Sequence, residues 1–241
     1  MAAIETESDE LTSAAPGAGD LWVLGYGSLM WRPGFQFAEA RRARLVGYAR
    51  AFCITSVHYR GTREQPGLVL GLDRGGTCEG VAFRVPAAEA RTTLGYLRAR
   101  EQVTGVYVER RVSLWLGGPD HGEVEAVTYV AERRHPAYAG HLSLAEQARI
   151  IRGARGRAGS NLDYLVNTLR HLRELGIREP RLERLGCLVG GLVLHDCPRG
   201  LLCARAEAMT RAWSAKRPRL MRLKPDQRRR FVHRLRLDAV G

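Results

Sequence analysis

The chain has 241 residues, enough for one large domain or two small ones, and its 45% apolar content is ordinary for a protein with a packed core. No apolar run reaches the ~18–20 residues of a membrane helix; the longest candidate, over 186–194, is broken by Gly190 and Gly191. The formal net charge of +13 is almost entirely arginine, and through the first two-thirds of the chain those arginines alternate with Asp and Glu, as solvated faces do, rather than forming a nucleic-acid stripe.

In chain order, residues 1–19 are acidic and rich in small residues. They lack the basic and apolar regions of a secretory signal and are expected to form a flexible, disordered leader. A strand follows in LWVLGYG (21–27). A β-branched and aromatic stretch, RARLVGYARAFCITSV (42–57), predicts another. The loop HYRGTREQPG leads into a strand LVLGL, a turn at DRGG (73–76) and a strand CEGVAFRV. Pro86 opens a helix running to Glu101, with Leu94 and Leu97 on one face. VYVERRVSLWL and EVEAVTYVAE alternate as strands should and can pair across GGPDHG. Ser143 and Glu146 then form a capping-box signature ahead of QARIIRGAR. Ser160 or Asn161 can cap a further helix carrying Leu162, Leu165, Val166, Leu169 and Leu172 at helical spacing, ended by Gly176 with Pro180 beyond. Strands first, one helix among them, then helices: the class is α+β rather than a doubly wound alternation. The organisation expected is a leader over 1–19, a body over 20–185 and a basic tail over 186–241. That tail ends in RRRFVHRLRL, whose charges interleaved with apolar residues can touch nucleic acid, an acidic partner or a membrane surface.

Five cysteines, an odd number at irregular spacing, argue for a reducing cytoplasm rather than a disulfide framework. Cys187, His195, Cys197 and Cys203 lie close in sequence but match no zinc spacing; incidental thiols explain them better than a metal site. The turn GYGSLM (25–30) begins like a dinucleotide fingerprint, but Met30 stands where the third glycine belongs and Trp31-Arg32-Pro33-Gly34 follows in place of a helix. It has no P-loop lysine, and Ser28 lacks the flanking glycines of a nucleophile elbow. Taken alone, the turn is either a simple packing turn or a backbone cradle for a ligand.

Five stretches in register, WVLGYGSLMWRPGF, SVHYRGTREQPGLVLGLDRGGTCEGVAFRV, YLRAREQVTGVY, HPAYAGHLSLAEQARII and GRAGSNLDYLVNTLRHLRELGI, are similar to the ChaC-type γ-glutamylcyclotransferases from about Leu21 to about Leu185. The resemblance implies a small mixed β-barrel ringed by helices. It also implies cleavage of glutathione to 5-oxoproline and cysteinylglycine, with no cofactor and no metal. By the same resemblance, Gly25, Tyr26, Gly27, Ser28, Leu29 and Met30 hold the γ-glutamyl group and Glu101 is the general acid–base. The family's H-R-G-T-P-E-x-P-G segment is matched with two departures: Tyr59 separates His58 from Arg60, and Arg63 replaces a proline.

The chemistry suits these residue types. The α-amine of a γ-glutamyl group attacks its own γ-carbonyl and closes a five-membered ring, so one carboxyl can take the amine's proton and return it to the leaving nitrogen. Glu101 at a helix C-terminus is expected to have a raised pKa, because the negative helix end disfavours its charge. Converging backbone N–H groups of a Gly-Ser turn can bind a carboxylate or a developing oxyanion. Arg60 is either a fork for the glycyl carboxylate of glutathione or a surface arginine; Tyr107 and Tyr164 match family aromatics or are plain core. Two other readings stand beside this one: a cyclotransferase for γ-glutamyl amino acids or amines, and a basic nucleic-acid or membrane-surface binder with a vestigial core.

Overall fold

The computed structural model describes residues 19–190, apart from 103 and 119–121. The leader, apart from Gly19, and the tail beyond 190 lie outside the described residues. Five strands form a closed barrel: β1 (Leu21–Gly25), β2 (Glu39–Ser56), β3 (Gly67–Val85), β4 (Tyr107–Leu116) and β5 (Gly122–Ala131), in the order β1-β3-β2-β4-β5. β1 is antiparallel to β3 and parallel to β5, so the barrel is mixed, and Trp22 opposite Ala126 and Val23 opposite Val127 make the closing seam. At that seam the buried Thr128 hydroxyl donates to the Leu24 carbonyl at 3.2 Å, across 104 residues of sequence.

The two strands expected on either side of DRGG are one strand, β3. Gly75 and Gly76 do have positive φ (96° and 82°), but the chain does not reverse there. They lie across from Gly47 (φ 90°), where the β2–β3 register slips between Val46 and Tyr48. Glycines facing each other in left-handed conformations make an irregularity that bends both strands together and lets long strands wrap. The reversal comes instead at the loop that leaves Ser56 opposite Gly67.

Among the described residues, four α-helices pack on this barrel. α1 (Ala87–Glu101) follows Pro86 as expected, and its Leu94 and Leu97 pack with Val23, Val85 and Val127. α2 (Leu144–Gly153) starts with a true capping box: the Ser143 hydroxyl accepts from the Glu146 amide, and the Ser143 amide donates to the Glu146 carboxylate at 2.8 Å. α3 (Asn161–Glu174) is capped by Ser160, which accepts from the Asp163 amide at 3.0 Å. Asn161 does other work. Its buried amide group pairs with both backbone groups of Leu68, at 2.6 and 2.7 Å, as a neighbouring strand would. This fastens α3 to the start of β3.

A fourth helix, α4 (Pro180–Val189), is not foreseen by the sequence reading, which takes Pro180 only as a stop for α3. Pro at a first helical position starts a helix as readily as it ends the preceding one. Leu182, Leu185 and Val189 enter the same core as Ile151, Leu165, Leu172, Phe52 and Leu70, so α4 runs through the position where the tail was expected to begin. A small hairpin, β6 (Arg155–Gly156) with β7 (Gly159–Ser160), precedes α3 and is likewise new. Among the described residues no helix is long and apolar enough to cross a membrane.

Candidate functional site

The turn hangs from the end of β1. A Cβ on Gly25 would lie 3.1 Å from both the Leu29 Cβ and the Met30 amide nitrogen, so the tight fold-back there favours a residue with no side chain. Residues Ser28–Met30 make one turn of 3₁₀ helix, closed by N–H donation from Met30 to the Gly27 carbonyl (3.0 Å) and from Arg32 to the Ser28 carbonyl (2.8 Å). The amides of Gly27, Ser28 and Leu29 lie at the head of that turn, where backbone N–H groups commonly lack an intrahelical acceptor. Beneath it lies Arg50, 1% exposed, whose Nε donates to the Tyr26 carbonyl at 2.5 Å. The same guanidinium donates to the Glu79 carbonyl at 2.5 Å and pairs with the Glu179 carboxylate just before α4. The core side of the turn is therefore tied to the far end of the body.

In front of the turn is a small pocket lined by Tyr26, Gly27, Ser28, Leu29, Leu70, Glu101, Tyr107, Tyr129 and Tyr164. The turn gives four of these, the last residue of α1 gives the carboxyl, and β3, β4, β5 and α3 supply the walls. The Glu101 side chain is 18% exposed, buried enough to feel a low dielectric and open enough to be reached. Burial pushes its pKa up, and the adjacent Arg100 opposes that rise. The rise is in the direction expected from the sequence, but its first cause is burial rather than the helix end. Burial also pushes the Tyr26 and Tyr107 phenols well up, and Tyr164 up to about 12. Tyr107 donates to the Leu70 carbonyl at 2.6 Å, and Tyr129 donates at 2.9 Å to Glu109, which Arg98 grips with two nitrogens. The walls are thus neutral, with hydroxyl protons already committed on two sides, and Glu101 is the carboxyl in the lining.

Of the residues singled out from sequence, Tyr26, Gly27, Ser28, Leu29 and Glu101 share this lining, as do Tyr107 and Tyr164. Gly25, Met30 and Arg60 stand outside it. Gly25 permits the fold-back, and Met30 is core, with its sulfur 3.8 Å from Arg50. Arg60 donates to the Ala158 carbonyl at 2.6 Å and the Ser160 carbonyl at 3.3 Å, with its guanidinium 5.0 Å from the centre of the Tyr164 ring. It therefore stands behind one wall of the pocket. Tyr59, the extra residue in the loop, stacks on Arg157 at 4.5 Å and accepts the Ala158 amide, so the loop is docked on the β6–β7 hairpin. Leu70, Tyr129 and Arg100 were not singled out. Leu70 and Tyr129 belong to strand stretches that are buried on both faces, so only the barrel register decides which of them meet the pocket.

Among the described residues no group of three or more His, Cys, Asp and Glu could hold a metal ion. Cys187 is buried in α4, while His195, Cys197 and Cys203 lie outside the described residues. A wider hollow of about 300 Å³ lies on the β4–β5 hairpin, but it is lined by strand residues whose carboxylates, Glu123 and Glu125, are bonded to Ser113 and Arg111.

A family model described as ChaC-like protein matches residues 21–191. The chain belongs to the ChaC-like family. A relative from Escherichia coli (strain K12), a glutathione-specific γ-glutamylcyclotransferase, is 37% identical over 187 residues, which are 78% of this chain and 80% of that protein. The human glutathione-specific γ-glutamylcyclotransferase 1 is 32% identical over 182 residues, 74% of this chain and 82% of that one. A crystal structure of a γ-glutamyl cyclotransferase specific to glutathione from yeast superposes with a TM-score of 0.65 at 23% identity, over 75% of this chain and all of that one. At that identity the yeast likeness bears on the fold, and the ChaC-like barrel with its helices is the fold seen here. The ChaC-like match includes all of α4.

Proposed function

We propose that this chain is a glutathione-specific γ-glutamylcyclotransferase, a lyase that releases 5-oxoproline and cysteinylglycine. The observation that carries the reading is one half-buried carboxyl, Glu101, its pKa raised by desolvation, facing the Gly27–Leu29 turn across a pocket walled by neutral phenols, in a chain of the ChaC-like family. In this reading the turn amides hold oxygens of the γ-glutamyl group. Glu101 accepts a proton from the α-amine as its nitrogen bonds to the γ-carbon. The C–N bond to cysteine then breaks, and Glu101 returns the proton to the departing nitrogen, so no net acid or base is consumed. Holding an open chain in its ring-closing shape is the other contribution, worth up to ~7–11 kcal/mol in well-oriented internal reactions. Gly25, Met30 and Arg60 act one layer back, the first two by shaping the turn and Arg60 by backing Tyr164. The buried thiols Cys53 and Cys78 support a reducing compartment, and we place the protein in the cytoplasm.

Purified protein is assayed with glutathione and, separately, with γ-glutamyl-alanine, each with and without EDTA, following 5-oxoproline and the released amine. The expected result is turnover of glutathione in preference to γ-glutamyl-alanine, unchanged by EDTA. Preference for γ-glutamyl-alanine would move the assignment to a cyclotransferase of γ-glutamyl amino acids. Loss of activity with EDTA, restored by a divalent metal, would overturn the carboxyl-only mechanism.

A further inference from the structure

We propose that Arg100 is a positioning residue that couples Ser28 of the turn to the Glu101 carboxylate, so that one guanidinium aims both a hydroxyl donor and the proton acceptor; this rests on the reading of Glu101 as the acid–base. Neighbours one apart on a helix do not ordinarily face each other. Here α1 ends at Glu101, and the two side chains converge on the turn. Arg100 Nη2 donates to Ser28 Oγ at 2.8 Å, and its Nε lies 3.1 Å from Glu101 Oε1. Its Nη1 donates to the Arg32 carbonyl at 2.9 Å, the Pro33 carbonyl at 3.4 Å and the Tyr96 hydroxyl at 2.9 Å, which holds the fork in place from the far side. A guanidinium has no acceptor, so Ser28 Oγ receives that bond and must turn its own proton elsewhere. Ser28 lines the pocket, and its hydroxyl therefore becomes a donor to an oxygen of the bound γ-glutamyl group. On the other side, engagement of Oε1 leaves Oε2 of Glu101 to meet the amine. The groups facing Glu101 from the other elements are the phenols of Tyr26, Tyr107, Tyr129 and Tyr164, all held neutral by burial, so the cation that favours its ionised form is Arg100.

The test uses the full chain as wild type, Arg100→Met, Arg100→Lys, Ser28→Ala and the Arg100→Met/Ser28→Ala double variant. Glutathione turnover is measured across pH beside thermal melting, and the Glu101 carboxyl is titrated by NMR, its signal identified by absence in Glu101→Gln. Because the carboxylate is the active form, kcat rises with pH through its pKa, and losing the cation moves that rise upward. Arg100→Met should shift both the NMR midpoint and the acidic limb of kcat up by about one pH unit. Arg100→Lys should restore the midpoint but not KM, since an ammonium cannot fork. The KM increases of Arg100→Met and Ser28→Ala, each roughly 10-fold, should not multiply in the double variant. Unmoved midpoints in a folded Arg100→Met, or KM effects that multiply, would overturn the proposal. If Arg100→Met does not fold, Arg100→Lys with and without Ser28→Ala decides: a raised KM absorbed by Ser28→Ala supports the coupling, and a wild-type KM or multiplying effects refute it. The NMR titration needs no turnover, so a wild type inactive on glutathione would sink the functional reading while the Arg100–Glu101 coupling is still judged.

Discussion

Glu101 binds its proton more tightly in the folded chain than the ordinary carboxyl value of 4.5 allows, because burial outweighs the pull of Arg100. Its contribution to stability is therefore complete below that ordinary value and is lost as pH rises through the raised native one. Glu101→Gln removes the titration and keeps the shape. At about pH 8 the variant should melt no lower than wild type, any advantage vanishing in acid, while kcat falls by ~10² or more; melting scans beside steady-state turnover decide it. The two turn glycines separate in the same assays. A methyl on Gly25 meets Leu29 and Met30 at 3.1 Å, so Gly25→Ala should destabilise by ~1–3 kcal/mol. A methyl on Gly27 meets nothing closer than Leu70 at 3.8 Å, so Gly27→Ala should leave the melting temperature alone and raise KM roughly 10-fold by entering the pocket. Glu101 and the turn are singled out by the family resemblance rather than by local pattern, since a helix-end glutamate and a glycine pair each have commoner structural uses; the structure brings Glu101 into one pocket with Tyr26, Gly27, Ser28 and Leu29. Leu70 and Tyr129 are not legible in the sequence: both sit in stretches buried on both faces, and which of their residues meet the pocket is fixed by pairing with strands far away in the chain.

The elements that sequence reading located best carry their own start and stop chemistry: Pro86 for α1, Ser143 with Glu146 for α2, Ser160 and Gly176 for α3. Sequence and structure part where one chemistry serves two structures. Asp-Arg-Gly-Gly suits a reversal and a bulge equally, and only the facing Gly47 selects the bulge. Pro180 ends one helix and begins another, and α4 was missed although Leu182, Leu185 and Val189 share a face. Its burial predicts that α4 belongs to the body. Leu185 is fully buried, so Leu185→Ala should cost ~2–5 kcal/mol in denaturant unfolding while the folded fraction keeps the wild-type kcat, since Leu185 lies outside the pocket lining. A kcat that falls with stability unchanged would instead link α4 to the chemistry, through Glu179 and Arg50.

At the scale of the whole chain, charge and chemistry are expected to separate. The basic stretch from Arg205 to Arg236 lies wholly beyond α4. A chain ending at Gly190 should turn over glutathione at the full chain's rate and lose retention on heparin, and the full chain's retention should fall steeply with added salt. Turnover lost from such a chain while it stays folded would give the tail a part in the site. The parallel β1–β5 seam has a consequence of a different kind, for how activity appears in time. The β2–β3 and β4–β5 hairpins and each helix need only nearby sequence, but the seam joins Trp22 to Ala126 and Leu24 to Thr128, and such distant pairings form slowly because a long stretch must be closed before any contact rewards it. The floor of the pocket hangs from β1 and its walls stand on β3, β4, β5 and α3, so a chain with its hairpins formed and its seam open has no pocket at all. In stopped-flow refolding from denaturant, turnover should be absent from any early phase and return in step with the slowest tryptophan-fluorescence change.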